Sequence, residues 1–172
     1  MGIKKDLDNL LVGHALDILG DMYVVEDKTW YDEDGWEWPE LKLKNLNTDE
    51  THYLEWELDD ELEIYLSTEK VDIEKLGLDK KESDFSKVKS LKKIDLYGVK
   101  FKYDDDYTAM WDNSFKVKFF DFYSKKTDQN LAIEYWYEGK DKSKGFKVEA
   151  YLCNQVRPVS IEIIGEFDNP VY

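Results

Sequence analysis

Apolar and polar residues alternate along most of this chain, and this pattern constrains its fold more than any other feature. In the clearest case Leu54, Trp56 and Leu58 alternate with Tyr53, Glu55 and Glu57. Runs of the same kind occupy residues 61–66, 115–120, 131–137 and 146–152. Successive side chains of a β-strand point to opposite faces of its sheet, so this pattern indicates strands with one buried face. Many short strands with few helical segments predict a mainly β fold, either an antiparallel sandwich or a partly open barrel.

Two segments depart from the alternation. Ile3, Leu7, Leu10 and Leu11 recur at helical spacing, which predicts a short N-terminal helix that ends before Gly13. Residues 67–93 are rich in Lys, Glu, Asp and Ser, and we interpret them as a polar insertion. A length of 172 residues is typical of one domain, so residues 1–172 are predicted to form a single domain.

Residues 30–41 combine three tryptophans with five carboxylates. Asp34-Gly35 between apolar runs is a strong signal for a two-residue hairpin turn. Pro39 predicts an edge strand or a bulge, because proline cannot donate to a sheet ladder. The acids are compatible with a hairpin turn, a cation site or a catalytic pair, and the turn is favoured. Asp104-Asp105-Asp106 is also compatible with a cation site, but a solvated loop is favoured there.

The formal net charge is -15, and Arg157 is the single arginine. Affinity for nucleic acid comes largely from Lys and Arg, so DNA or RNA binding is not expected. A basic protein partner, a polyamine or a divalent cation suits this charge better. The sequence contains no apolar run long enough for a membrane-spanning helix, so we expect no membrane insertion and a cytoplasmic location.

Tryptophans beside carboxylates suggest a surface that binds a partner, since such rings can dominate interfaces or hold cations over their faces. The sequence contains no phosphate-binding loop, nucleophile elbow or zinc motif, and we predict no enzyme activity, catalytic residue, metal site or cofactor. The leading hypothesis is a binding module for a protein partner; the alternatives are a polyamine or divalent-cation binder and an acidic inhibitor that mimics DNA. The candidate binding residues are Trp30, Asp32, Asp34, Trp36, Trp38, Glu40, Trp56 and Trp136.

Two groups of segments resemble a known family. The first contains Leu11-Val12-Gly13-His14, Trp36-Glu37-Trp38-Pro39-Glu40-Leu41-Lys42-Leu43 and Tyr53-Leu54-Glu55-Trp56-Glu57. The second contains Phe120-Asp121-Phe122-Tyr123, Leu131-Ala132-Ile133-Glu134-Tyr135-Trp136 and Phe146-Lys147-Val148-Glu149-Ala150-Tyr151-Leu152. In this order they resemble the bacterial domain-of-unknown-function family 4178, with its patterns V-G-D, W-x-E-Y-x-L, L-S-I-E-x-W and E-x-Y-x-G.

The resemblance covers most of residues 11–66 and 94–164. His14 stands where the family usually has an acid, and Leu152 or Cys153 where it usually has glycine. The family has no established reaction, and its members tend to be encoded near aminopropyltransferase-like proteins, small membrane proteins and stress-response coat proteins. The resemblance therefore implies an accessory or partner-binding role in a bacterium, by analogy alone.

Overall fold

The computed structural model describes residues 2–79, 86–138 and 145–167, and most of them lie in strands. Helices α1 (Ile3–Asp8) and α2 (Ser86–Ser90) are short, and 3₁₀ helices cover Ile73–Leu76 and Pro158–Ser160. The strands are β1 (His14–Ile18), β2 (Asp21–Glu33), β3 (Trp36–Asn45), β4 (Thr51–Leu58), β5 (Leu62–Val71), β6 (Lys93–Leu96), β7 (Val99–Trp111), β8 (Phe115–Ser124), β9 (Gln129–Glu138), β10 (Gly145–Gln155) and β11 (Ile161–Glu166). No helix in these ranges is long and apolar enough to cross a membrane.

The strands pair in one antiparallel sheet, in the order β11-β1-β2-β3-β4-β5-β10-β9-β8-β7-β6. Strand β2 has an additional pairing, since Tyr31 and Asp32 lie opposite Trp111 and Met110 of β7. The mainly β, antiparallel fold predicted from the alternation is confirmed. The short N-terminal helix is also present, although it ends at Asp8.

The chain divides into two compact units. Unit 1 comprises Met1–Trp30, Trp38–Leu66 and Gln155–Tyr172, and unit 2 comprises Tyr31–Glu37 and Ser67–Asn154. Each unit has its own cluster of buried apolar side chains. The single domain expected for residues 1–172 stays a prediction.

The core of unit 1 is formed by α1 and by one face of its strands. In the hairpin of β4 and β5, Leu54 lies opposite Leu66 and Trp56 opposite Ile64, and all four side chains are buried. The alternation therefore identified the buried face of this hairpin correctly. Leu58, at the end of β4, is an exception and is 49% exposed.

The core of unit 2 is formed mainly by β8, β9 and β10, where Phe120 lies opposite Ile133 and Phe122 opposite Leu131. The described part of the predicted polar insertion also contributes to this core. Its buried side chains are Val71, Ile73, Leu78 and Val88. Residues 80–85 of that insertion lie outside the described residues. The apolar residues of the predicted insertion therefore belong to the core. They reach it because β5 continues to Val71 and a helical turn follows directly.

One local expectation was wrong, and one of two alternatives at another position was excluded. Asp104-Asp105-Asp106 lies within β7 and not in a loop, because β8 pairs with this stretch and its backbone pairing outweighs the low strand propensity of aspartate. For Pro39 the expectation was an edge strand or a bulge, and the edge strand is wrong because β3 lies between β2 and β4. The pairing of β3 with β4 extends from Glu40 to Lys44, so the ladder with β4 does not require an N–H group at Pro39.

Candidate functional site

The turn between β2 and β3 presents an exposed tryptophan. Asp34 and Gly35 have positive φ angles of 51° and 92°, as expected for the predicted two-residue turn. The Asp32 carboxylate accepts a hydrogen bond of 2.7 Å from the Gly35 N–H and thereby closes the turn. Trp36 follows at once and is 45% exposed. We refer to residues 32–37, which belong to unit 2, as the hairpin tip.

Trp30 is also exposed, at 48%, but it belongs to unit 1. The Lys28 ammonium lies 5.9 Å from the centroid of its ring and donates to the carbonyl oxygens of Asp8 and Leu10. Burial lowers the pKa of Lys28, although the charge of Asp8 acts in the opposite direction. Lys28 therefore anchors the end of α1 and covers part of the Trp30 ring.

Trp56 lies in the core of unit 1 and not at a surface. It is 1% exposed, and its indole N–H donates to the Asp8 carboxylate over 2.8 Å. This hydrogen bond fastens α1 to β4. Trp56 thus has a structural role within unit 1.

Trp38 and Glu40 of β3 are buried in unit 1, on the sheet face opposite the core cluster. Glu40 lies directly opposite Glu55 of β4, and their side chains are hydrogen-bonded. The Trp38 indole donates to Glu55 as well. Burial raises the pKa of Glu55 and the charge of Glu57 adds to this effect, against the hydrogen bonds from Glu40 and Trp38.

Three large rings of unit 2 contact one another without being fully buried. Ring centroids are 5.6 Å apart for Trp111 and Trp136, 5.9 Å for Trp111 and Phe115, and 6.4 Å for Phe115 and Trp136. Each of these side chains is half-buried. We name them the Trp111 cluster. Tyr31, the residue before the hairpin tip, pairs with Trp111, so the tip and the cluster are carried by neighbouring strand segments of unit 2.

A buried carboxylate network lies beside Trp136. Glu134 of β9 and Glu149 of β10 are directly opposite each other, and each is 7% exposed. The Trp136 indole donates to Glu134 over 3.1 Å, and the Tyr151 hydroxyl donates to Glu149 over 2.6 Å. Two buried acids at this spacing repel unless they are compensated. Aromatic donors supply part of that compensation.

Two lysines also compensate the charge of the buried Glu149 carboxylate. The ammonium of Lys147 lies 2.6 Å from Glu149 Oε1, and that of Lys70 lies 3.3 Å from the same oxygen. Burial alone would raise the pKa of Glu149, but the hydrogen bonds from Lys147 and Tyr151 and the charges of both lysines hold this pKa below its usual value. The Lys147 ammonium also lies 5.2 Å from the centroid of the Trp136 ring.

A groove of about 530 Å³ borders this network in unit 2. Its lining residues are Lys70, Val71, Asp72, Ile73, Lys147, Val148 and Glu149. The groove thus combines an apolar floor with both lysines of the network. Among the described residues no group of three or more His, Cys, Asp or Glu side chains is arranged to hold a metal ion.

The structure therefore separates the residues proposed from the sequence. It places Asp32, Asp34 and Trp36 together at the hairpin tip, Trp38 and Glu40 on one face of unit 1, Trp56 in a core and Trp136 in the Trp111 cluster. Sequence reasoning did not select Glu55, Glu134, Glu149 or Lys147. A usable signal was present for two of them, because Glu134 and Glu149 each stand two residues before an aromatic donor on a strand.

The family model for a domain of unknown function (DUF4178) matches residues 11–152. The matched range includes both pairs of directly opposed glutamates, Glu40 with Glu55 and Glu134 with Glu149. No significant match to the chain was found among curated proteins or among solved structures. Since the family model spans most of the chain and agrees with the resemblance of the individual strand segments, this protein belongs to the DUF4178 family.

Proposed function

We propose that this protein is a non-enzymatic binding module that engages a basic protein partner through the hairpin tip and the Trp111 cluster of unit 2. The observation that carries the proposal is the exposure of Trp36 on a short, hydrogen-bonded turn. Tryptophan is enriched among the residues that dominate binding energy, and a rigid presentation reduces the entropy lost on association. A cytoplasmic location in a bacterium is part of this proposal and rests on the sequence alone.

The charge around Trp36 defines the partner's chemistry. Asp32, Glu33, Asp34 and Glu37 share the tip with Trp36, and the whole chain carries a formal net charge of -15. A complementary surface would present Lys or Arg around an apolar pocket that accepts the indole. The half-buried rings of the Trp111 cluster extend the apolar area available to such a partner.

Quantitative affinity capture tests this proposal with two variants. Trp36→Ala removes the exposed ring, and Leu58→Ala removes an apolar side chain of similar exposure, 49% against 45%, beside the acidic turn Asp59-Asp60-Glu61. The wild type and Leu58→Ala should retain the same basic proteins. We expect Trp36→Ala to retain at least about tenfold less of these proteins. Equal retention by all three proteins would contradict the proposal.

A second candidate is the binding of a polyamine beside Trp136. The observation in its favour is that the protein's own Lys147 ammonium sits between the Trp136 ring and the Glu149 carboxylate. This combination of ring face and carboxylate is the environment in which a ligand ammonium is stabilised. Lys147 would then occupy the position of a ligand amine.

Calorimetry with spermidine tests the second candidate. Lys147→Ala should bind spermidine at least about tenfold more tightly than the wild type, because it vacates the position over Trp136. Lys44→Ala is the matched control, since Lys44 lies at the same 2.6 Å from the carboxylate of Asp49 in an exposed pair. This candidate would be wrong if Lys147→Ala gave no heat of spermidine binding. It would also be wrong if Lys44→Ala gained the same affinity for spermidine.

A further inference from the structure

Strand β7 is paired on one side along most of its length, but its other side is open in the middle. Strand β8 covers the first side. On the second side β6 covers residues 99–102, the Tyr103 N–H donates to the Lys92 carbonyl over 2.9 Å, and the end of β2 covers residues 110–111. Among the described residues, no strand pairs with residues 104–109 on that side. This stretch of unit 2 is therefore an open sheet edge, which we name the β7 edge.

The backbone of the β7 edge can accept a further strand. The N–H group of Asp106 donates to the carboxylate of Asp105 over 2.8 Å. This arrangement suits the open side of a strand, where a nearby side chain replaces the carbonyl of a missing neighbour. Residues 104–109 span about 20 Å when extended, which is the length of an ordinary strand. A short extended segment can therefore pair with this edge.

The charge of the β7 edge restricts which segments fit. Asp104 and Asp105 are exposed, and Asp106 follows them on the same strand. Hydrogen bonds from Lys118 and Tyr103 hold the pKa of Asp106 below its usual value, so this carboxyl group is ionised at neutral pH. Three consecutive carboxylates repel an acidic strand and attract one that carries Lys or Arg.

Two observations favour a basic partner over a second copy of this chain. Pairing of two β7 edges would bring the aspartates of both copies together, and the formal net charge of -15 also opposes self-association. The β7 edge is continuous with the surface proposed for binding, because Trp111 ends the same strand. Tyr31, the residue before the hairpin tip, pairs with Trp111. One extended segment can thus contact the edge and this surface together.

We propose that the β7 edge binds an extended, Lys- or Arg-rich segment of the protein partner as an added strand. This inference rests on the proposed function and gives its mode of recognition. Main-chain hydrogen bonds to residues 104–109 supply affinity, and the aspartates select for basic side chains. The exposed ring of Trp36 and the Trp111 cluster then contact the partner beyond the added strand.

NMR titration of the intact, isotope-labelled protein with a synthetic peptide tests the added strand. The peptide is Val-Lys-Val-Lys-Val-Lys with both ends capped, and we expect it to shift the amide resonances of residues 104–109. The same peptide with every amide nitrogen methylated keeps its charge but cannot donate hydrogen bonds. It should bind at least about tenfold more weakly. Equal affinity of the two peptides, or unchanged resonances of residues 104–109, would overturn the proposal.

Charge variants test the selection for basic segments. Asp104→Asn combined with Asp105→Asn removes two charges and keeps an acceptor for the Asp106 N–H. Asp59→Asn combined with Asp60→Asn is the matched control, since it removes two charges from an exposed turn of unit 1. We expect the first variant to bind the Val-Lys peptide at least about threefold more weakly and the control to bind it as the wild type does. Equal losses would show a response to net charge alone and would refute the selection by the edge.

Affinity capture separates this inference from the proposed function. If Trp36→Ala loses the captured basic proteins and the variant at Asp104 and Asp105 retains them, the added strand is wrong and the hairpin tip still binds. If the peptide pairs with the β7 edge and Trp36→Ala captures as the wild type does, the added strand stands and the role of the hairpin tip is wrong. Sedimentation covers the remaining occupant. A wild-type dimer that the Val-Lys peptide dissociates would assign the edge to a second copy and overturn the proposal.

Discussion

Glu149 lies directly opposite Glu134 in the β9–β10 ladder, and both carboxylates are buried. The pair is stable because Lys147, Lys70 and Tyr151 surround Glu149 with donors, while Trp136 donates to Glu134. Trp136 belongs to the Trp111 cluster, and the ammonium of Lys147 lies 5.2 Å from the centroid of its ring. The electrostatic network therefore supports the surface that we propose for binding.

Removal of Lys147 should destabilise the protein, because it takes one of the two closest donors from a buried carboxylate. We expect Lys147→Ala to lower the free energy of unfolding by about 1–3 kcal/mol, as for a hydrogen bond to a charged group. Urea denaturation followed by circular dichroism measures this change. Lys44→Ala, which breaks an exposed pair with Asp49, should cost less than about 1 kcal/mol. Equal effects would show that Lys147 contributes no more than a surface charge.

Glu149 should make stability depend on pH at the acidic end. Its pKa is lower in the folded state than the ordinary value of 4.5, so its ionisation favours folding. This contribution is complete above the unfolded pKa and is lost as the pH falls through the folded pKa. The difference in unfolding free energy between wild type and Glu149→Gln should therefore be constant above about pH 5. Below pH 4.5 the wild type should lose stability relative to Glu149→Gln. Urea denaturation across this range measures it; a constant difference throughout would contradict the lowered pKa.

Glu55 should produce the opposite dependence. Its pKa is raised above 4.5 in the folded state, so the folded protein binds more protons than the unfolded chain. Its favourable effect is full below the unfolded pKa and is lost as the pH rises through the folded pKa. Glu55→Gln should thus gain stability relative to the wild type as the pH rises above the unfolded pKa of 4.5. Thermal melts at matched ionic strength follow this gain, and Glu63→Gln serves as the control on the same sheet face.

Tryptophans of this chain should differ widely in their contribution to stability. Trp56→Ala opens a cavity in the core of unit 1 and leaves Asp8 without its indole donor, so we expect a loss of about 3–5 kcal/mol. Trp36→Ala should cost less than about 1 kcal/mol, because nearly half of that side chain is in water. Urea midpoints of the two variants compare the losses directly. A large loss for Trp36→Ala would assign it a packing role and weaken the proposed binding surface.

The sequence by itself determined the local features of this protein. Alternation of period two predicted the strands, because side-chain direction in a strand depends only on position along the backbone. Asp34-Gly35 predicted its turn, because both residues tolerate the positive φ that a two-residue hairpin needs. Family membership also followed from the order of the strand segments.

The tertiary structure alone decided which residues meet across the sheet. Glu134 and Glu149 are 15 residues apart and Trp56 and Asp8 are 48 residues apart, and no local pattern relates either pair. Whether a tryptophan is a core residue or a surface residue likewise depends on what packs against its strand, so Trp36 and Trp56 differ although both stand in alternating segments. The strand pairing set these contacts, because a register shift of one residue would turn every side chain to the other face.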